Sequence, residues 1–340
     1  MTASPEKIHV SKELKYGKPL ISCRFDPAGR FVFAGAEDDS VQRWDLSLTP
    51  AKAKSVSFTA HDGWVFALAI SNDGQTLLSG GTDGKLIWWP AATDAPGPKL
   101  LIKPLRVAAA HQGWVRSIAV SPDGKQAATC GNDHKVKLWS LAEGTPEMDL
   151  PGHSRPVYRV AYTADGKHLV SADLMGLIIQ WDVRTGKEAR RLDASKLHLY
   201  EGGQGVDYGG VRDVSFSADG SYLACCGLIN ASNPLGAVSN PAVLLLDWKT
   251  GAVGKLQRPK EDLKGVAWGV RFHPAGFVIV ASGGTSGGFL WFTRPDQENE
   301  YFKFTLPGTA RDLDLHKDGI QVATAHHDGV LRISAMKQGT

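Results

Sequence analysis

Cysteine is scarce in this 340-residue chain: four residues, too few for a disulfide framework. No stretch approaches the roughly 18 uninterrupted apolar residues that a membrane helix needs, so no membrane span is expected. Neither sign of charge dominates. The 38 Lys and Arg stand against 35 Asp and Glu, a net +3, which gives no argument for nucleic acid or an anionic membrane surface as a partner. Met1–Lys7 holds no basic segment leading into an apolar core, so a signal peptide is not expected and a cytoplasmic location is. Long apolar stripes of helical period are almost missing. Apolar residues nonetheless make up 42% and charged residues 21%, enough to bury a sizeable core and unlike a disordered chain.

Glycine and turns are abundant, with 38 Gly and 10 Trp. One turn-like tripeptide recurs: Pro27-Ala28-Gly29, Asn72-Asp73-Gly74, Pro122-Asp123-Gly124, Ala164-Asp165-Gly166, Ala218-Asp219-Gly220, Pro274-Ala275-Gly276 and Lys317-Asp318-Gly319. The steps between the glycines are 45, 50, 42, 54, 56 and 43 residues. Each glycine sits where a hairpin turn requires positive φ. A short β-branched run precedes each turn, as in Val115-Arg116-Ser117-Ile118-Ala119-Val120, and another follows it. A third run ends in Trp in several repeats, as in Val136-Lys137-Leu138-Trp139. The pattern is that of an all-β chain of many short strands.

A period of about 40–45 residues with His upstream and Trp-Asp downstream marks the WD40 blade. His61, His111 and His153 each lie 28 positions before Trp89, Trp139 and Trp181. On these residues the chain resembles the WD40-repeat family of β-propellers over nearly its whole length. Blades 1, 5, 6 and 7 are degenerate, with Leu246 and Ser334 at the Trp position of blades 5 and 7. The resemblance implies one seven-bladed propeller of four-stranded antiparallel blades. Approximate blade limits are 15–60, 61–110, 111–152, 153–193, 194–258, 259–307 and 308–340. The last repeat supplies three strands, and residues 7–14 alternate as a strand without a partner. They are expected to form the outer strand of the last blade, removing two free sheet edges.

The family's blades carry a buried Trp–Ser/Thr–His–Asp chain of hydrogen bonds. The matching positions are His61, Ser79, Asp83 and Trp89 in blade 2 and His111, Thr129, Asp133 and Trp139 in blade 3. Blade 4 supplies His153, Ser171 and Trp181 but has Met175 at the acidic position, so its network is expected to be incomplete. A Ser beside His and Asp also suggests a catalytic triad, but one active site suffices and this set repeats around the ring. Gly284-Thr285-Ser286-Gly287-Gly288 fits a nucleophile pattern literally, yet falls between two strands rather than at a strand-to-helix elbow. His326-His327-Asp328 lacks the further ligands that a metal site needs. Cys130, Cys225 and Cys226 read as buried small thiols. Asn230-Ala231-Ser232 is a glycosylation sequon by pattern only.

The resemblance also implies a partner face, at the end of the ring where the chain enters each inner strand. Trp64, Phe66, Trp114, Arg116, Tyr158, Arg212, Trp268 and Arg311 align with positions that point there, and Glu37, Thr82, Asn132 and His327 stand on neighbouring turns. Trp, Tyr and Arg dominate binding hot spots. Trp64 and Trp114 follow polar loops and are read as equally suited to exposure and to packing; Phe66 and Trp268 are expected to pack between blades. The insertions 194–210 and 228–240 in blade 5 belong to the same face, and the Pro/Ala-rich loop 91–99 to the opposite one. The expected function is a non-catalytic scaffold that binds a protein or peptide, needs no cofactor or metal, and works as a monomeric ring within a larger complex. The alternative is a propeller hydrolase or dehydrogenase with its site in the central channel. That chemistry needs inward acidic groups or His from several blades, and the aligned mouth positions supply no convergent carboxylates.

Overall fold

The computed structural model describes residues 3–93, 102–232 and 238–336. Among them are seven four-stranded antiparallel sheets and one two-stranded sheet. The seven glycines of the recurring turn all have φ between 67° and 86°, the left-handed region that a side chain would resist. The remaining turn pattern is local. In blade 2, Ser71 Oγ accepts the Thr76 N–H at 2.9 Å and donates to Asp73, which holds the inner strand Val65–Ile70 against the second strand Thr76–Gly81.

Strands turn their apolar side chains toward the neighbouring blades. Phe33 and Phe58 of blade 1 pack with Leu77 and Trp89 of blade 2, with the Phe58 and Trp89 rings edge-to-face at 5.6 Å. Trp88 of blade 2 meets Trp139 of blade 3 in the same way at 6.2 Å. Each sheet is thus covered by the next, and the core is a chain of inter-blade layers.

The first blade meets the last through the strand His9–Lys15, which pairs antiparallel with Val330–Ala335. Its sheet runs His9–Lys15, Val330–Ala335, Gln321–His326, Ala310–Leu315 from rim to axis. Leu14 is buried in the layer shared with blade 1, Ser11 Oγ donates to the Ile333 carbonyl at 2.9 Å, and Arg332 Nε donates to Glu13 at 2.9 Å.

The expected loop 194–210 is a folded unit. A short 3-10 turn, Ser195–Leu197, leads into a hairpin of His198–Glu201 and Val206–Gly209. Leu197 is buried against blade 5, so the insertion is anchored in the ring. In the 228–240 insertion, Tyr222–Ile229 and Asn240–Asp247 extend the blade 5 ladder to Ile229↔Asn240. Residues 233–237 lie outside the described residues, as do 94–99 of the blade 2 loop.

Removing residues 7–14 uncovers one edge of blade 7 and strips Leu14 from its layer. We expect a melting temperature lower by well over about 5 °C, and aggregation on heating, because lost pairing and burial amount to several kcal/mol. An unchanged melting temperature in a thermal scan would refute this role for the strand.

Candidate functional site

Three kinds of polar assembly sit on this ring. The first lies inside the blades. In blade 3, Trp139 Nε1 donates to Thr129 Oγ1 at 2.9 Å, Thr129 Oγ1 stands 2.8 Å from His111 Nε2, and His111 Nδ1 is 2.8 Å from Asp133. An indole N–H can only donate, so the hydroxyl accepts it and donates to Nε2, leaving the Nδ1 proton for the carboxylate. Blade 2 repeats this with Trp89, Ser79, His61 and Asp83. The hydroxyl is fully buried and occupied by the indole, which leaves no approach for a substrate.

Blade 4 corrects the expectation drawn from Met175. Its network is complete: Trp181 Nε1 donates to Ser171 at 2.8 Å, Ser171 lies 2.7 Å from His153 Nε2, and His153 Nδ1 lies 2.8 Å from Asp173. Asp173 aligns with Gly81 and Gly131 of blades 2 and 3. A Cβ at Gly81 would stand 2.6 Å from the Asp83 carboxylate, and one at Gly131 2.8 Å from the His111 ring. That position is therefore either empty, making room for an acid two residues further on, or carries the acid itself. Blade 7 uses it a third way. His326 occupies it, 2.7 Å from Thr324 Oγ1 and 2.9 Å from the Gly308 carbonyl, while Asp328 pairs with Arg332. Burial, with Arg332 adding to it, pulls the His326 imidazole down to about 4. Blades 1 and 6 keep Trp44 and Trp291, but neither indole N–H has a partner among the described residues. Thr285 and Ser286 of the nucleophile-like sequence are the turn between Gly284 and Gly287.

The second assembly lines the channel. In blades 1, 2, 3, 4, 6 and 7 the inner-strand ladder skips one residue, and the skipped residues are Ile21, Phe66, Arg116, Tyr158, Trp268 and Arg311. In blade 5 both Arg212 and Asp213 face Cys226. A bulge releases a residue from the ladder and re-aims its side chain. Here the bulges bring Phe66, Arg116, Tyr158, Arg212, Trp268 and Arg311 together around a cavity of about 210 Å³ at the channel mouth. Seven of the eight predicted residues form one array. Trp64, Phe66 and Trp114 are stacked, with centroids 6.4 and 5.0 Å apart. Arg116 then lies 4.2 Å over Trp114 and 4.9 Å from Tyr158, and Arg212 stands 4.6 Å from Tyr158 and 5.5 Å from Trp268. Trp64 is 42% exposed; Phe66, Trp114 and Trp268 are half-buried. Arg311, the eighth, lines the same mouth and donates to Glu37 at 2.7 Å.

Convergent carboxylates, absent from the predicted mouth, occur one level deeper. Asp213 pairs with Arg159 and Arg271, both at 2.6 Å; Asp314 pairs with Arg271 at 3.2 Å, and Asp312 with Arg24 at 2.7 Å. These bridges link blades 4, 5, 6, 7 and 1 across the channel. Burial works against the Asp213 anion, but Arg159 and Arg271 outweigh it and hold its carboxyl below the usual range. Aligning the inner strands beyond their first two residues would have revealed this belt. The exposed Leu199 and Tyr200, at 39% and 59%, were also missed, because they belong to the hairpin read as a loop. Among the described residues no three His, Cys, Asp or Glu side chains converge as metal ligands would.

The architecture and its mouth define a ring-shaped propeller scaffold. Within that class, the family pattern described as "WD domain, G-beta repeat" matches residues 12–45, 53–90, 102–140, 144–182 and 199–228, just over half of the chain. The chain belongs to the WD40-repeat family. It is 37% identical to bovine (Bos taurus) striatin-3 over 73 residues, 19% of this chain and 9% of that protein. It is 34% identical to the 77 kDa echinoderm microtubule-associated protein of Strongylocentrotus purpuratus over 95 residues, 25% of this chain and 13% of that one. Cilia- and flagella-associated protein 251 of Chlamydomonas reinhardtii is 25% identical over 176 residues, 49% of this chain and 20% of its own. The matched parts span a fifth or less of these relatives.

The buried networks carry stability. Burial alone would raise the Asp133 carboxyl, but the His111 hydrogen bond and charge and the backbone N–H groups of Gln112 and Lys135 bring it down to about 2. A depressed carboxyl stabilises the fold above its unfolded value of 3.8, and the contribution is lost as pH falls from about 4 toward 2. Asp133→Asn should thus be less stable than wild type at pH 7 by about 1–3 kcal/mol, with the gap closing in that acid window. Asp173→Ala should lose a similar amount in blade 4. Denaturant titrations at pH 7 and pH 3 measure both, and a neutral Asp173→Ala would return blade 4 to an incomplete network.

Proposed function

We propose that this protein is a non-catalytic interaction scaffold whose channel-mouth face binds a segment of another protein. One observation carries the reading: bulges on separate blades aim Arg and aromatic side chains into one mouth, beside a stacked row ending in the exposed Trp64. Aromatic and Arg groups on a rigid frame lose little entropy on binding and are the usual anchors of interfaces. The hairpin bearing Leu199 and Tyr200 joins an outer strand to the next inner strand, so it rises at the same end of the ring and walls one side of the mouth. The family membership supports a scaffold role, and the particular face is our reading.

The enzyme alternative would need a free acid or base in the channel. Asp213, Asp312 and Asp314 are each engaged by arginine, which favours a role in holding the inner strands together.

Trp64→Ala should weaken binding of a protein partner about tenfold or more, with a melting temperature within about 2 °C of wild type because Trp64 stands at the exposed end of the stacked row, outside the inter-blade core. The measurement is titration calorimetry on a partner recovered by affinity capture. Equal affinities of two folded proteins would move the binding site off this face.

A further inference from the structure

The charges around the mouth do not balance. Of the four arginines lining the cavity, Arg159 is paired with Asp213 and Arg311 with Glu37. Asp312, the carboxylate in the lining, is taken by Arg24. Among the described residues, no carboxylate pairs with Arg116 or Arg212. Arg116 Nε donates to the neutral Asn132 side chain at 2.7 Å. Arg212 Nε is shielded from solvent and has no acceptor among the described residues. The two flank Tyr158, at 4.9 and 4.6 Å from its ring. Burial, with Arg212 adding to it, pulls the Arg116 guanidinium down to about 10, which leaves it charged at neutral pH.

Two half-buried cations with no counter-ion among the described residues, one with an unfilled donor, repel cationic ligands, and a neutral acceptor can fill the donor but leaves the charge uncompensated. A carboxylate answers both needs. The cavity, about 210 Å³, is smaller than the roughly 300–1,000 Å³ usual for small-molecule pockets and suits a single inserted side chain. The stacked Trp64, Phe66 and Trp114 continue outward from Arg116 as an apolar platform for a neighbouring residue of the same chain. We propose that the mouth receives an Asp or Glu side chain of an acidic partner peptide, its carboxylate held by Arg116 and Arg212 and an adjacent apolar side chain laid on Trp64. This rests on the assignment of the mouth face as the binding face.

The test is selection from a random displayed peptide library of fixed C-terminus, so that only side chains are offered. Enriched peptides should carry an acidic residue beside an aromatic or aliphatic one. In a synthetic copy of the most enriched peptide, changing that acid to its amide should weaken binding about tenfold or more. The variant Arg116→Gln/Arg212→Gln should bind acid and amide forms equally weakly, while Trp64→Ala should weaken both forms alike and keep the preference for acid. Melting temperatures of both variants establish that they are folded. Peptides that need Trp64 but show no acid preference would overturn the carboxylate site and leave the binding face standing. Peptides indifferent to all three substitutions, or no enrichment, would overturn both. An oligothymidine that binds more tightly than any selected peptide, and loses affinity in the arginine variant, would replace the peptide with a single-stranded nucleic acid.

Discussion

Seven twisted sheets share one ring only if the last packs against the first, and the pairing of His9–Lys15 with Val330–Ala335 holds that junction closed. This pairing joins the two ends of the described chain. It also fixes where blade 7 stands relative to blade 1, and hence the bridges from Arg24 to Asp312 and from Arg311 to Glu37. The shape of the mouth depends on the same closure, because its walls come from every part of the sequence.

Beneath the mouth, charged pairs add to the apolar layers that join the inner strands. Arg159, Asp213, Arg271 and Asp314 alternate in sign from blade 4 to blade 7, so each buried ion has an opposite neighbour. Buried ion pairs are poor sources of net stability, but removing one partner is costly, and such a belt disfavours slippage of one blade past the next. At the mouth this compensation stops for Arg116 and Arg212, which pair with no carboxylate among the described residues. Interior charges are balanced where they serve the fold, and the imbalance coincides with the opening to solvent.

The blade networks differ in how well they could be read from the chain. His61, Ser79, Asp83 and Trp89 were legible because a constant 28-residue offset accompanies them. Asp173 was not, because it reaches the same histidine nitrogen from a position where its neighbours have glycine. Spacing encodes backbone route, and two routes can deliver one carboxylate to one place. Likewise His326 fills in blade 7 a role that no upstream loop residue supplies.

The sequence by itself determined the all-β class, the count of seven blades, the closing strand and the residue types at the mouth. The class, the repeat count and the closing strand follow from period, turn glycines and strand alternation, which are local properties of the chain, and the mouth positions follow from the family resemblance. Only the tertiary structure decided which of those side chains are free. Arg311 and Arg116 look alike in their strands, yet one meets Glu37 from across the ring closure and the other meets Asn132 and aromatic rings. The physical reason is that a side chain's partner is set by the neighbouring blade and by a bulge that turns it off the ladder, and both arise only when distant repeats are brought into contact.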